Sequence, residues 1–289
     1  MPTNALLKKL SLLTDKGLKK RLRKEILAYY KNIPQAETDP EIQEALAFLS
    51  NNRFHVFPYT FTDDYSSEQV QVYTDKNLGL KYVMHKGKKL YFKRTWGERK
   101  IKRNYVYLLL EQDLKSPHRY LADSFVVERG DVVVDAGAAE GNFALSVVEQ
   151  VKKLYLFETD NEWVEALEAT FAPWKDKVEI INKYVSNTNN EHYLTLDNFF
   201  EGKGAVNFIK ADVEGAEADL LEGSKNILQN QQLKVAITTY HKQEDETELN
   251  DMLQQSGFKT EFSDGYMLFP HYGPFKPPYF RRGLIRAMK

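Results

Sequence analysis

A doubly wound α/β fold, a parallel sheet covered by helices on both faces, is predicted for the second half of this chain, behind a smaller accessory region. Three observations predict it. After Ser116 short apolar runs alternate with helical patterns. The first of those runs leads into a glycine-bearing turn and a helix. The segment before the Ser116-Pro117 break instead carries two helices, a hairpin pattern and a third helix.

In order, Leu18, Leu22, Ile26 and Tyr29 recur at helical spacing between Thr14 and Tyr30, with Lys19, Lys20, Arg21, Arg23 and Lys24 filling much of the rest. A second helix starts at Asp39-Pro40, a cap and a first-turn proline, and runs to Leu49, with Asn51-Asn52 ending it. Val70 and Val72, then Leu80, Tyr82 and Met84, alternate as strands, and Lys86-Gly87 marks a hairpin return toward Leu90 and Phe92. A helix follows over Glu98 to Leu114, and a domain boundary is placed near Ser116, giving an accessory region 1–116 and a second domain 117–289.

In the second domain, strands are expected at Asp131–Asp135, Leu154–Phe157, Val178–Ile181, Val206–Ile209 and Lys234–Thr238, with helices over Asn142–Gln150, Glu162–Phe171 and Ala216–Leu228. The last runs, Phe258–Phe262, Tyr266–Phe269 and Gly283–Ala287, show no intervening helix and should pair as an antiparallel edge.

Composition narrows the function. The 289 residues hold 40 Lys plus Arg against 41 Asp plus Glu, so no polyanionic partner is indicated and nucleic acid is not expected. Cysteine is absent, which excludes disulfide scaffolds, thiolate metal sites and cysteine nucleophiles. Lys8 and Lys9 interrupt the leucine-rich start, Met1 to Leu13, below signal-peptide length, and no run approaches the ~20 residues of a membrane helix. A cytoplasmic protein without membrane insertion is expected. The accessory region could serve as a substrate lid, a homo-oligomer contact or a docking surface.

Four motifs carry chemistry. Asp135-Ala-Gly137-Ala138-Ala-Glu-Gly141 leaves the first strand of the domain, where glycines let backbone approach a ligand and set a helix, opening at Asn142, beside it. Its G-x-x-x-G spacing differs from the G-x-G-x-x-G of dinucleotide folds, which argues against a nicotinamide oxidoreductase. Glu158, followed by Thr159, ends the next strand about 20 residues on, where a carboxylate can accept both ribose hydroxyls. Lys210-Ala-Asp212-Val-Glu214-Gly215-Ala-Glu217 ends the fourth strand at the switch point; Asp212 and Glu214 are close enough to raise each other's pKa, as suits a general base, whereas Glu217 equally fits a helix-dipole role. Thr239-Tyr240-His241-Lys242 ends the fifth strand, and a neutral His241 is a base for an alcohol. Asp212, Glu214 and His241 are suitable ligands for a divalent metal, but no diagnostic spacing supports one and none is expected.

Together these residues resemble the FkbM-type methyltransferases, a branch of the class I S-adenosylmethionine-dependent fold. The resemblance covers roughly Pro117 to Lys289 and rests on Gly130–Gly141, Phe157-Glu158, Thr195-Leu-Asp197, Ile209–Glu217 and Tyr240-His241-Lys242. It implies a Rossmann-like, seven-stranded sheet with a reversed last strand, S-adenosylmethionine as methyl donor, and O-methylation of a hydroxyl on a sugar, glycan or related biosynthetic product. Asp135, Gly137 and Gly141, with Ala138 and Asn142, would then cradle the methionine end, Glu158 and Thr159 would flank the ribose, Asn182 the adenine, and Asp212 the transferring methyl. His241 or Asp212 would take the proton, with Glu214 and Lys210 in support. The chain departs from the family pattern at Ala139, where asparagine is common, and at Thr159, where proline is. A protein that keeps the cofactor fold without turnover is the competing reading.

Overall fold

The computed structural model describes residues 16–230, 232–271 and 275–289; the leucine-rich start lies outside them. Helix α1 (Lys16–Tyr30) buries Leu22, Ile26 and Tyr30, which recur every four residues and so share a face. Helix α2 (Pro40–Asn51) is capped by Asp39, whose carboxylate accepts the Glu41 N–H at 2.8 Å. Arg23 donates to the carbonyls of Leu49 and Ser50, setting a cation of α1 against the carbonyl end of α2.

Strands β1 (Tyr73–Thr74), β2 (Lys81–His85) and β3 (Lys88–Tyr91) form an antiparallel sheet. Lys86 and Gly87 both take positive φ, 49° and 81°, the backbone that matches a two-residue turn to strand twist. Val70 and Val72 precede β1 instead of forming a strand; Val70 is buried by packing alone. Helix α3 (Glu98–Glu111) buries Ile101, Tyr105, Leu108 and Leu110, and ends three residues before Leu114, which is exposed.

The chain then builds β4 (Val132–Ala136), α4 (Asn142–Val147), β5 (Lys153–Phe157), α5 (Asn161–Phe171), β6 (Val178–Ile181), the short pair β7 (Tyr184–Val185) and β8 (Tyr193–Leu194), and α6 (Leu196–Phe199). It continues through β9 (Phe208–Ala211), α7 (Glu217–Glu222), β10 (Lys234–Thr238), α8 (Asp245–Gln255), β11 (Lys259–Phe262), β12 (Met267–Leu268), β13 (Phe280–Arg281) and β14 (Leu284–Met288). The main sheet has seven strands in the order β11-β14-β10-β9-β4-β5-β6. Its inner pairs from β10 to β6 are parallel, and β14 runs antiparallel to both β10 and β11. This is the Rossmann-like sheet with a reversed last strand.

Four further local expectations are corrected. Strand β9 starts at Phe208 and not at Val206, which is buried ahead of the ladder. Helix α7 stops at Glu222 because the chain turns at Gly223, where a Cβ would overlap the carbonyl of Ser186. Helix α8 was not foreseen, since only Leu249 and Leu253 mark its buried face within a polar run. Of the three terminal runs only two join the main sheet; β12 pairs with β13 outside it.

Consecutive residues of each inner strand face opposite layers: Val133, Leu154 and Phe208 pack with α4 and α5, while Val134, Tyr155 and Ile209 pack with α7 and α8. The first of these cores also takes in Leu90, Phe92, Trp96 and Ile101 from before Ser116. A third joins Leu22, Ile26, Phe48 and Phe57 to Met267, Leu268 and Phe280, so the two ends of the chain share a core. Among the described residues no helix is long and apolar enough to cross a membrane.

Candidate active site

The exits of β4 and β9 meet at Gly137. Its φ is +73°, and a Cβ there would overlap the backbone carbonyl of Asp212, so the close approach requires glycine. Gly141, φ +76°, precedes α4, and a Cβ on it would lie 2.6 Å from Leu167 Cδ2 and 3.0 Å from Phe171 Cε2, the flank of α5. The N–H groups of Gly137 and Ala138 donate to the Phe157 carbonyl at 3.0 and 3.1 Å, which ties the turn to β5, and Asn142 opens α4.

Glu158 sits at the end of β5. Its Oε1 accepts the N–H groups of Thr159 (2.7 Å) and Asp160 (2.8 Å), and its Oε2 that of Ala139 (2.9 Å). A carboxylate oxygen has room for two such bonds, so Oε2 can take one more donor. Burial raises the pKa of Glu158 and the three N–H donors oppose it. Asn182 is exposed and donates to Asn161 at 2.8 Å, outside any cluster with Glu158.

The denser cluster centres on Asp212. Lys210 Nζ lies 2.9 Å from the fully buried Asp135 carboxylate and donates to the Gly137 carbonyl at 2.7 Å. Burial alone would lower the Lys210 pKa, but Asp135 and Asp212 outweigh it and hold the ammonium above its ordinary range. Asp212 accepts from Tyr120 at 2.9 Å and Tyr240 at 3.3 Å, and lies 3.4 Å from His118 Nε2 and 3.6 Å from His241 Nε2. Burial pushes its pKa up, yet His118, Lys210 and His241 together hold it well below the usual carboxylate range. The expected mutual raising of Asp212 and Glu214 is therefore corrected: Glu214 is exposed on a φ of +60°, and Asp212 faces the Lys210 ammonium and two imidazoles instead.

His241 is buried between two carboxylates. Its Nδ1 is 2.9 Å from Glu217 Oε1, and its Nε2 faces Asp212. Glu217 is itself held by the Val213 N–H (3.1 Å) and the Thr238 hydroxyl (3.2 Å). Burial would lower the His241 pKa, but Glu217 and Asp212 raise it above the ordinary imidazole value. Arg281 donates to the carbonyls of Tyr240 (2.7 Å) and His241 (2.8 Å), fixing the end of β10. Ligand atoms of Asp212, Glu217 and His241 lie within 4.8 Å of one another, with Glu217 in place of the expected Glu214. Both imidazole nitrogens already face carboxylates there, which suits a hydrogen-bonded line better than a cation.

His118 and Tyr120 escaped sequence reasoning. They stand in a loop without strand or helix pattern, and only its return over β9 brings them to Asp212. Arg286 of β14 anchors that loop through the carbonyls of Arg119 (2.7 Å) and Tyr120 (3.3 Å). A cavity of about 600 Å³ lined by Thr195, Phe200 and Asn226 contains none of these groups.

Residues 184–260, which hold Lys210, Asp212, Glu217 and His241, match the model of the methyltransferase FkbM domain. Over that stretch the chain is similar to the FkbM-type methyltransferases. Among solved structures it is similar to an FkbM methyltransferase from Methylobacillus flagellatus KT, with 14% identity, a TM-score of 0.45, and coverage of 66% of this chain and 53% of that one. It is also similar to an rRNA methylase from Streptococcus thermophilus (17%, TM-score 0.38, 57% and 89%) and to a precorrin-6y C5,15-methyltransferase from Geobacter metallireducens GS-15 (11%, TM-score 0.41, 64% and 88%). The chain spans about half the length of the FkbM methyltransferase it matches. No curated protein matches it in sequence. The FkbM stretch thus places its acid-histidine line on β9, α7 and β10, and the glycine turn on β4 faces it from outside the matched residues.

Proposed function

We propose that this methyltransferase uses S-adenosylmethionine to methylate a hydroxyl on a sugar, glycan or related small-molecule product. The observation that carries this reading is the buried Glu217–His241–Asp212 line, with Nε2 of His241 facing the strand exit that Gly137 touches. A sulfonium methyl donor supplies its own electrophile, so the protein's task is alignment and proton removal. Asp135, Gly137, Ala138, Gly141 and Asn142 would hold the methionine end, and Glu158 and Thr159 the ribose; the exposed Asn182 would border the adenine.

Glu217 accepts the Nδ1 proton, which leaves Nε2 of neutral His241 to take the acceptor's proton, the tautomer logic of a carboxylate-oriented base. Asp212 receives the resulting imidazolium charge, and Lys210 keeps Asp212 ionised. Glu214, at the surface, adds negative potential at His241.

The base works when neutral, so kcat/KM should rise with pH through a midpoint above that of an ordinary imidazole, ~6.5. Glu217→Gln removes the larger of the two raising influences, and the midpoint should move to lower pH with a drop in kcat; an unmoved profile would remove Glu217 and His241 from the proton path. The class itself is tested by calorimetry with S-adenosylmethionine, S-adenosylhomocysteine and NADH, each with and without EDTA. Saturable binding of the sulfonium pair alone is expected, unaffected by EDTA. No binding of either, with or without glycan present, would overturn the assignment of the cofactor.

A further inference from the structure

A second cavity, of about 260 Å³, opens in the accessory region where Tyr65, Tyr73 and Tyr105 meet Ser66, Gln69 and Gln71. The rest of its lining is aliphatic, and none of its lining residues is charged. Tyr73 is 41% exposed at the rim, stacks on Tyr82 at 5.4 Å, and donates its hydroxyl to the Gln71 amide oxygen at 2.6 Å. Tyr65 is fixed by donation to Asp113, and Tyr105 by His85 at 3.1 Å.

Uncharged hydrogen-bonding groups beside flat aromatic surfaces match one ligand chemistry well. A sugar ring offers apolar C–H faces to tyrosine and a rim of hydroxyls to amides, and a neutral lining gives an ion no counter-charge for its lost hydration. The volume falls just under the ~300–1,000 Å³ of drug-sized ligand sites, which suits a single ring.

Helix α3 links this cavity to the candidate active site. Tyr105 lines the cavity, and with Leu108 of the same helix it shares a core with Tyr120, Ala138 and Phe143 beside the glycine turn. We infer that the cavity is a carbohydrate subsite that holds one neutral sugar residue. Its connection to methyl transfer, as a grip on a distant residue of the acceptor chain, rests on the glycan reading above; the binding itself does not.

The test is a printed array of neutral oligosaccharides built from hexoses, deoxyhexoses and N-acetylhexosamines, probed with the whole chain and with Tyr73→Ala and Gln71→Ala. At least one glycan class should bind, and each substitution should weaken it about tenfold or more. Both positions are exposed, and unchanged affinity for S-adenosylhomocysteine would certify the fold of each variant. Binding to no glycan, or binding indifferent to both substitutions, overturns the subsite. Glycan binding without S-adenosylhomocysteine binding would sink the cofactor assignment and leave the subsite standing.

Discussion

Asp212→Asn should lower kcat about a thousandfold, within the span attributed to a positioned acid or base, while S-adenosylhomocysteine affinity changes less than about tenfold. The substitution keeps the shape and removes the one negative charge that faces Lys210, His118 and His241 together. Lys210 retains Asp135 at 2.9 Å, so the fold survives on that ion pair. The imidazolium formed on His241 loses its acceptor-side counter-charge, and its pKa falls with it. Single-turnover methyl transfer, compared with calorimetric affinity, separates the two effects. Turnover within a few-fold of the parent would remove Asp212 from the chemistry and leave it a structural anchor for Tyr120 and Tyr240.

The depressed pKa of Asp212 also has a stability consequence with a definite sign. A carboxylate whose folded pKa lies below its unfolded value stabilises the native state above the unfolded value, near 4, and loses that contribution as pH falls toward the folded one. Acid denaturation of Asp212→Asn should therefore lack this component.

Gly137→Ala should be the more damaging change to structure. A methyl group at this position meets the Asp212 backbone carbonyl, which cannot swing aside as a side chain would, and the residue must also hold a φ of +73°. The left-handed backbone alone costs about 1–2 kcal/mol, and separating β4 from β9 at their exits adds to it. A loss of about 3 kcal/mol in unfolding free energy is expected. Binding of S-adenosylhomocysteine should fall to undetectable levels at temperatures where the variant is still folded. Denaturant melts with calorimetry on the same samples check both parts, and near-parental binding would mean that the crevice does not run past Gly137.

Much of the sheet was legible because its strands are short apolar runs punctuated by turn residues, and β5, β6 and β10 fall within a residue of their expected bounds. Boundaries failed where packing decided them: Gly223 ends α7 through its contact with Ser186, a partner 37 positions away that no local pattern announces. Helix α8 was missed because two buried leucines in a polar run give little periodic signal. The glycine turn, Glu158, Asp212 and His241 were legible as strand-exit residues, since chain order alone puts such exits on one edge of a parallel sheet.

By itself the sequence determined the layer architecture and which residue types stand at the strand exits, because alternation and turn chemistry are local properties written along the chain. Only the tertiary structure decided which of those residues share a charge. Glu217 and not Glu214 pairs with His241, since the first turn of α7 points one carboxylate inward while the positive φ of Glu214 leaves the other at the surface. His118 and Tyr120 reach Asp212 because Arg286, more than 160 residues later in the chain, holds their loop over β9. Electrostatics in a buried site depend on distance through space, and for these groups that distance is unrelated to their separation along the chain.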